Sequence, residues 1–423
     1  MVKKTSSKPT PHTELEKKIC LCMIVKNESR IIERCLNSAK SMIDFVSICD
    51  TGSIDQTPEV IENWCKKNSV AFTVHHKSFE NFGYNRTLAA NLAKETYPEA
   101  DYLLLLDADM ILTVNPLFKK SSLNKSQYLI MQYNKHIKYW NTRLIKTSLP
   151  WRCVGATHEY WDIDRSMIGS EQCPDIETKG KLDTLVINDQ EDGGSKSDKF
   201  ERDKRLLLEG IDNPTTPSNL RVRYLFYLAQ TFFCLHEFEE SIKWYKKRVK
   251  AGGWEEEVFY SLLQIGICYE RLASISSFKL KQLVKEANEN KPLVDQSTID
   301  NLAQQEEQYL ALATTYFQES WEYRPTRAEP LYHLARIYRI NSKHNISLMY
   351  AIQGKEVPFP KGDVLFLDYH VYDYLLDYEI SICAYYIESK RDLGRSALNR
   401  LQSKVEQLPK DIAGSVESNA KFY

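Results

Sequence analysis

The sequence predicts an α/β first half built on a parallel sheet, followed by an all-α second half of repeated helices. Three observations predict it. Residues 102–112 (YLLLLDADMIL) place four leucines in an unbroken run that stops at Asp107-Ala108-Asp109, and a short run of that kind suits a strand buried on both faces of a parallel sheet. Upstream, strand-like runs alternate with segments of helical spacing, the rhythm of parallel strands joined by right-handed crossovers. Beyond about residue 203 the strand signals fade, and long stretches rich in Tyr, Leu, Ala, Glu and Lys take over.

With 423 residues the chain has room for two or three cores. The expected division is a disordered polar tail over 1–18, an α/β domain over 19–202 and a helical domain over 203–423. Fifty-six Lys and Arg balance 57 Asp and Glu, a formal charge of -1, so nothing global points to nucleic acid or an anionic membrane. No apolar stretch reaches the ~20 residues of a membrane span, and the polar N-terminus lacks the apolar region of a signal peptide. The ten cysteines contain no CxxC pair and read as reduced, small core residues. The Asn27-Glu28-Ser29 and Asn85-Arg86-Thr87 sequons lie in candidate functional loops, where glycosylation would do harm. Together these point to the cytoplasm.

The elements follow in order. Residues 19–25 (ICLCMIV) are short, apolar and β-rich, a first strand. Ser29 is placed to cap a helix carrying Ile31, Ile32, Cys35, Leu36 and Ala39 at helical spacing. Residues 45–49 form a second strand that ends at Asp50-Thr51-Gly52-Ser53. Thr57-Pro58 then opens a helix that buries Val60, Ile61 and Trp64. Residues 71–74 are a third strand, 86–95 a third helix, and the leucine run the fourth strand. Asp50, Asp107 and Asp109 therefore arrive at one sheet edge, beside the Asn27-Glu28 loop. That edge is where open α/β sheets bind ligands. Acids one residue apart need a cation or donors to neutralise them, and a divalent ion bridging to a phosphate does so. Arg86 is available for the phosphate. An ordinary acidic turn is the alternative reading of Asp107-Ala108-Asp109 by itself. No glycine-rich phosphate loop follows the first strand, which excludes a dinucleotide fingerprint and a P-loop.

Past Asp109 the pattern turns antiparallel, with strands expected at 128–133, 141–147 and 182–187. Residues 188–203 (NDQEDGGSKSDKFERD) read as a mobile lid carrying Lys199 and Arg202; a solvated helix face starting near Ser197, with Lys204 and Arg205, is the other reading.

The motifs MIVKNE (23–28), CDTGSIDQT (49–57), FGYNR (82–86) and LLLLDAD (103–109), in that order on those elements, resemble the family 2 glycosyltransferases of GT-A fold. The resemblance covers about the first 200 residues. It implies an inverting transferase, of hexosyltransferase type, that moves a sugar from a nucleoside-diphosphate donor to a hydroxyl of a protein or glycan; the donor it implies is a UDP-sugar. The nucleotide would be held by Val25, Asn27, Glu28, Asp50, Ser53, Arg86, Asp107 and Ala108. Mn2+ or Mg2+ would be held by Asp109 of the DXD motif, with Asp107 and His158. Residues 155–159 (GATHE) resemble a Gly-x-x-His-Glu segment of a subgroup with a helical-repeat tail, in which Glu159 is the base that deprotonates the acceptor. Two departures stand out: Arg86-Thr87 replaces the commoner Arg-Asn, and the usual Glu-Asp pair is absent. Asp162 and Asp164 are the other candidate bases, and a packed structural histidine is the other reading of His158.

In the second half, residues 221–250 read as two helices joined at Leu235-His236-Glu237. Small residues with an aromatic three positions on recur at Ala229/Phe232, Gly266/Tyr269 and Ala335/Tyr338, 37 and then 69 residues apart. Those spacings lie near one and two tetratricopeptide periods of about 34. Ser241 and Tyr245 fit the second helix of the first unit, a polar insert over 274–298 lengthens the second, Pro325 ends a later one, and 374–401 is a terminal pair. The implied tetratricopeptide-like solenoid would hold an acceptor or partner, its aromatics serving as inter-helix packing. The rival function is an interaction scaffold whose transferase domain has lost catalysis; the intact Asp50, Asp107, Asp109 and Arg86 argue against it.

Overall fold

The computed structural model describes residues 16–134, 138–168, 178–193, 198–288 and 295–423. The chain divides into two compact units, 1–207 and 208–423.

In the first unit the crossovers produce β1 (Ile19–Val25), α1 (Ile32–Ala39), β2 (Phe45–Asp50), α2 (Thr57–Asn68), β3 (Ala71–His76), α3 (Phe82–Thr96) and β4 (Tyr102–Leu105). There follow β5 (Met110–Val114), β6 (Gln127–Tyr133), β7 (Lys138–Lys146), β8 (Trp151–Val154), β9 (Tyr160–Ile163), β10 (Lys179–Asp189) and α4 (Lys199–Asp212). Eight strands form one mixed sheet in the order β3-β2-β1-β4-β7-β6-β10-β5, and β8 and β9 pair separately. The unit is α/β, with a curled mixed sheet.

The leucine run is buried on both faces because its side chains alternate. Leu104 and Leu106 join Ile19, Leu21, Met23 and Val25 in a core that includes α1 and α2. Leu103 and Leu105 join Cys20 and Cys22 against Ala89, Ala90 and Ala93 of α3. Small residues on both sides let α3 lie close to the sheet.

The apolar residues after Asp109 do not prolong the fourth strand. They form β5, antiparallel to β10 at the far edge, with Met110 opposite Asp189. Only residues 106–109 connect β4 to β5, although three strands lie between them in sheet order. The sheet therefore curls, and this brings the end of β10 to the Asp107–Asp109 turn.

Several expected boundaries move. Ser29 does not cap α1. Its backbone N–H goes to Asp55 Oδ2 at 3.1 Å, the helix begins two residues beyond Arg30, and the Glu28 carbonyl accepts from Ile31 and Ile32 at 3.0 and 2.9 Å. Helix α3 starts earlier than expected, because the Asn81 side chain caps it by accepting from the Tyr84 N–H at 2.9 Å. β3 extends to His76, and the expected 182–187 strand lengthens to 179–189. Of the expected disordered tail, residues 1–15 lie outside the described residues. Lys18 is held, its backbone N–H donating to Asp101 Oδ2 at 2.9 Å. Among the described residues nine cysteines are free, all but Cys234 buried, and no helix is long and apolar enough to cross a membrane.

The second unit is all-helical, each helix packing chiefly on its chain neighbours: α5 (Ser218–Cys234), α6 (Phe238–Ala251), α7 (Glu255–Asn288), α8 (Gln296–Tyr323), α9 (Glu329–Ile340), α10 (His344–Glu356), α11 (Leu376–Cys383), α12 (Arg391–Gln402) and α13 (Lys410–Asn419). The repeat has a chemical signature. Ser241 donates to the Ala229 carbonyl at 2.9 Å, and Ser347 makes the same bond to the Ala335 carbonyl at 2.7 Å. Each serine thus joins the second helix of a pair to the first. The Phe317 ring lies where a Cβ on Gly266 would stand, which explains the small residue there. The polar insert is helical over its described length, because α7 and α8 lengthen to absorb it; residues 289–294 lie outside the described residues.

Candidate active site

Val25 pairs with Asp50 across the parallel β1–β2 ladder, so the loops after both strands start level. Side chains then lace them. Asp50, 3% exposed, accepts from the Ser53 N–H at 3.2 Å and lies 3.4 Å from His76 Nδ1. Asn27 adopts a left-handed φ of 58°, which suits an Asn. Its N–H donates to Ser53 Oγ at 2.9 Å, and its Oδ1 accepts from the Ile54 N–H at 2.8 Å. The Glu28 N–H donates to Thr57 Oγ1 at 2.7 Å. Val25, Asn27, Glu28, Asp50 and Ser53 thus meet in one rigid double loop, and Asp50 spends its oxygens on building it.

At the end of β4 stands a chain of charges. Arg86 Nη2 donates to Asp107 Oδ1 at 2.7 Å, and its Nε donates to Glu159 Oε1 at 2.8 Å. Arg143 on β7 donates from Nη1 to Asp107 Oδ2 at 3.4 Å and from Nη2 to Gln132 Oε1 at 2.8 Å. Gln132 in turn donates to Asp189 Oδ2 at 3.0 Å. Burial pushes the Asp107 carboxyl up, but Arg86 and Arg143 outweigh it and hold the group below the usual carboxylate range. Burial likewise works against the Arg86 charge, and Asp107 and Glu159 more than restore it. Sequence reasoning missed Arg143 and Gln132. Gln132 interrupts the apolar end of β6, but Arg143 lies among other polar residues of β7 and carried no local signal.

Asp109 lies across the turn from this group. A Cβ on Gly193 would stand 3.3 Å from both Asp109 Oδ2 and Glu28 Oε1, so the two carboxylates flank one small space. The segment after β10 is held over them: the Gln190 N–H donates to the Asp109 carbonyl at 3.0 Å, and Asp192 accepts both Arg34 Nη groups at 2.8 and 2.7 Å. Of the expected lid, residues 194–197 lie outside the described residues. From Lys199 onward it is the helix α4, where the Arg202 guanidinium lies 5.0 Å from the Phe82 ring centroid.

The β8–β9 ribbon delivers Glu159. Helix α3 receives it closely: the Phe82 and Gly83 N–H groups donate to the Ala156 and Gly155 carbonyls, each at 3.0 Å. Thr87 Oγ1 accepts from the Cys153 N–H at 2.8 Å, which gives the departure from Arg-Asn a structural role. His158 is exposed, with φ 50°. Its neighbour Thr157 is buried and donates to Asp203 Oδ1 at 3.2 Å. Burial raises the Asp203 carboxyl, against the Arg202 and Lys199 charges. Asp162 and Asp164 both pair with Arg152, at 3.5 and 4.0 Å.

No group of three or more His, Cys, Asp or Glu among the described residues could hold a metal ion. Asp107, Asp109 and His158 are therefore not gathered as a ready-made cage: Asp107 is committed to two arginines, and His158 sits exposed on a turn. The donor set fits a different arrangement. A magnesium-like ion takes one or two carboxylates and completes its shell with phosphate and water, and Asp109 with Glu28 would supply that pair.

Gly83 admits a test. An added Cβ would collide with the Gly155 and Cys153 carbonyls, backbone atoms that cannot swing aside. Gly83→Ala is expected to push the Glu159 ribbon off α3 and lower stability by about 2–3 kcal/mol, the scale of overpacking. Urea denaturation reads it, and an unchanged midpoint would show that the ribbon is not seated there.

A mixed sheet with acids at the ends of its parallel strands and an arginine between two of them makes a site fit for a phosphate-bearing ligand. Residues 20–121 match the Glycosyl transferase family 2 model, and the chain carries a domain of that family. A TPR repeat-containing protein of Synechococcus elongatus is 34% identical over 91 residues, 22% of this chain and 20% of that protein; the chain thus spans about a fifth of the length of that curated relative. Among solved structures, S. aureus TarS aligns with TM-score 0.32 and 14% identity over 59% of this chain and 52% of that one. Its fragment 1-349 in complex with UDP aligns with TM-score 0.28 and 15% identity over 69% and 91%.

Proposed function

We propose that the chain is an inverting, metal-dependent glycosyltransferase, with a transferase domain over 19–202 and a tetratricopeptide-like domain over 203–423. It moves a sugar from a nucleoside diphosphate, UDP by the motif resemblance, to a hydroxyl of a protein or glycan. The observation that carries this is Arg86 strung between Asp107 and Glu159 at the strand ends, with Asp109 and Glu28 flanking Gly193 nearby.

The double loop of Asn27, Asp50 and Ser53 is a rigid wall for the base and ribose. A divalent ion bound at Asp109 and Glu28 would supply charge neutralisation of the diphosphate leaving group. Arg86 is the second cation there. A diphosphate competes with Asp107 and Glu159 for its guanidinium, and a Glu159 so released has its oxygen open to the acceptor hydroxyl. Attack by that hydroxyl opposite the leaving group inverts the anomeric centre. The Arg34–Asp192 pair must loosen for the segment over Asp109 to admit the donor.

Incubation with UDP-sugars tests the reading. The expected result is slow donor hydrolysis that needs Mn2+ and stops with chelator. No hydrolysis and no UDP-sugar binding across the common donors would favour the scaffold.

A further inference from the structure

The connection after α10 is not a slack loop. Residues 363–368 (DVLFLD) lie bent at Leu365 against a groove of the helical unit, their exposure alternating with inner residues Asp363, Leu365 and Leu367. The groove grips their backbone with buried side chains. Glu256 Oε2 accepts from the Val364 and Leu365 N–H groups at 2.8 and 2.7 Å. Arg327, 0% exposed, donates to the Leu365 and Phe366 carbonyls at 3.4 and 3.2 Å. Glu329 Oε1 accepts from the Asp368 N–H at 3.3 Å. One side chain is read as well: Arg324 forks onto Asp363 at 2.7 and 2.8 Å, and Arg327 reaches it at 3.3 Å. The Phe366 ring lies 4.7 Å from that of Tyr260 and 6.3 Å from that of Phe226.

Two features are odd for a permanent filler. Phe366 has φ 45°, a conformation that bulky residues rarely adopt. The segment also leaves Val364, Phe366 and Tyr369 exposed at 76%, 49% and 59%. Beside Asp363 a cavity of about 670 Å³ opens, lined by Arg324, Thr326, Gln353, Glu356 and Gly362, with room for chain preceding an acidic residue. Donors and acceptors aimed at main-chain atoms, plus one arginine fork for a carboxylate, form a site for a short peptide segment.

We propose that this groove is a peptide-binding site of the pattern Asp-apolar-Leu-aromatic, that residues 363–368 occupy it as an internal ligand, and that a partner segment of the same chemistry displaces them. The site stands whether or not the first unit is a transferase. The tether gives the internal segment a high local concentration, and the left-handed Phe366 works against it. Removing the internal acid raises the fraction of open sites and hence the apparent affinity.

The test uses the whole chain and a fluorescent peptide of residues 361–369. Saturable binding is expected, weakened about tenfold or more when the peptide carries asparagine for its first aspartate. The chain variant Asp363→Ala should bind the peptide about tenfold tighter. Hydrogen exchange on the unaltered chain gives an independent reading, with the Val364 and Leu365 amides opening about a hundredfold faster than the first turns of α7. No peptide binding by either chain overturns the proposal. So do segment amides that exchange only together with α7, the behaviour of a permanent part of the core.

Discussion

Asp109→Ala is expected to lower sugar transfer by about three orders of magnitude, the loss of several kcal/mol of charge stabilisation at the leaving diphosphate. The size follows from how little redundancy surrounds the site. Asp107 is a poor substitute, because Arg143 still holds one of its oxygens when the diphosphate draws Arg86 away. Glu28 remains, but a single carboxylate binds a magnesium-like ion weakly when the rest of its shell is phosphate and water. Calorimetric titration of UDP with and without Mn2+ checks this directly. The unaltered protein should bind UDP more tightly with the ion, and the variant should show no difference. A variant that keeps the Mn2+ enhancement would remove Asp109 from the metal role.

Glu159→Gln separates donor handling from acceptor activation. The amide keeps the size of the side chain and an oxygen that accepts from Arg86 Nε, so the Arg86–Asp107 arrangement and UDP affinity should persist. General-base catalysis is lost, and transfer should fall by about 10²–10⁴-fold. Donor hydrolysis and UDP titration measured side by side give the split between turnover and binding. Retained turnover would move the base to Asp162 or Asp164. Each of these pairs with Arg152 on the β8–β9 ribbon, so neither is as closely tied to Arg86.

How far the site was legible depended on whether a residue's partner lay within the same strand-to-helix unit. Asn27, Asp50 and Ser53 belong to short loops following adjacent parallel strands, and their motifs announce the double loop because register brings them level. Arg86, Asp107 and Glu159 come from three distant segments. Their types suggested phosphate and metal chemistry, but not that the arginine would bridge both acids. His158 came only from the motif resemblance, and it lies exposed after the left-handed Gly155.

Strand and helix identities in the first half, and the change to repeated helices in the second, were already written in local pattern: two-face apolar runs, helical spacing, and small residues recurring near a fixed period. Those signals act over a few residues, so they survive without knowledge of the fold. The curl of the sheet is another matter. It carries β5 to the edge beside β10 and sets Gly193 between Asp109 and Glu28, and no local pattern encodes a pairing between segments some 75 residues apart. The same holds for Arg143 behind Asp107 and for the buried grip of Glu256 and Arg327 on residues 363–368. A charged side chain accepts burial only when its partners are in place, and those partners meet only once the chain is folded.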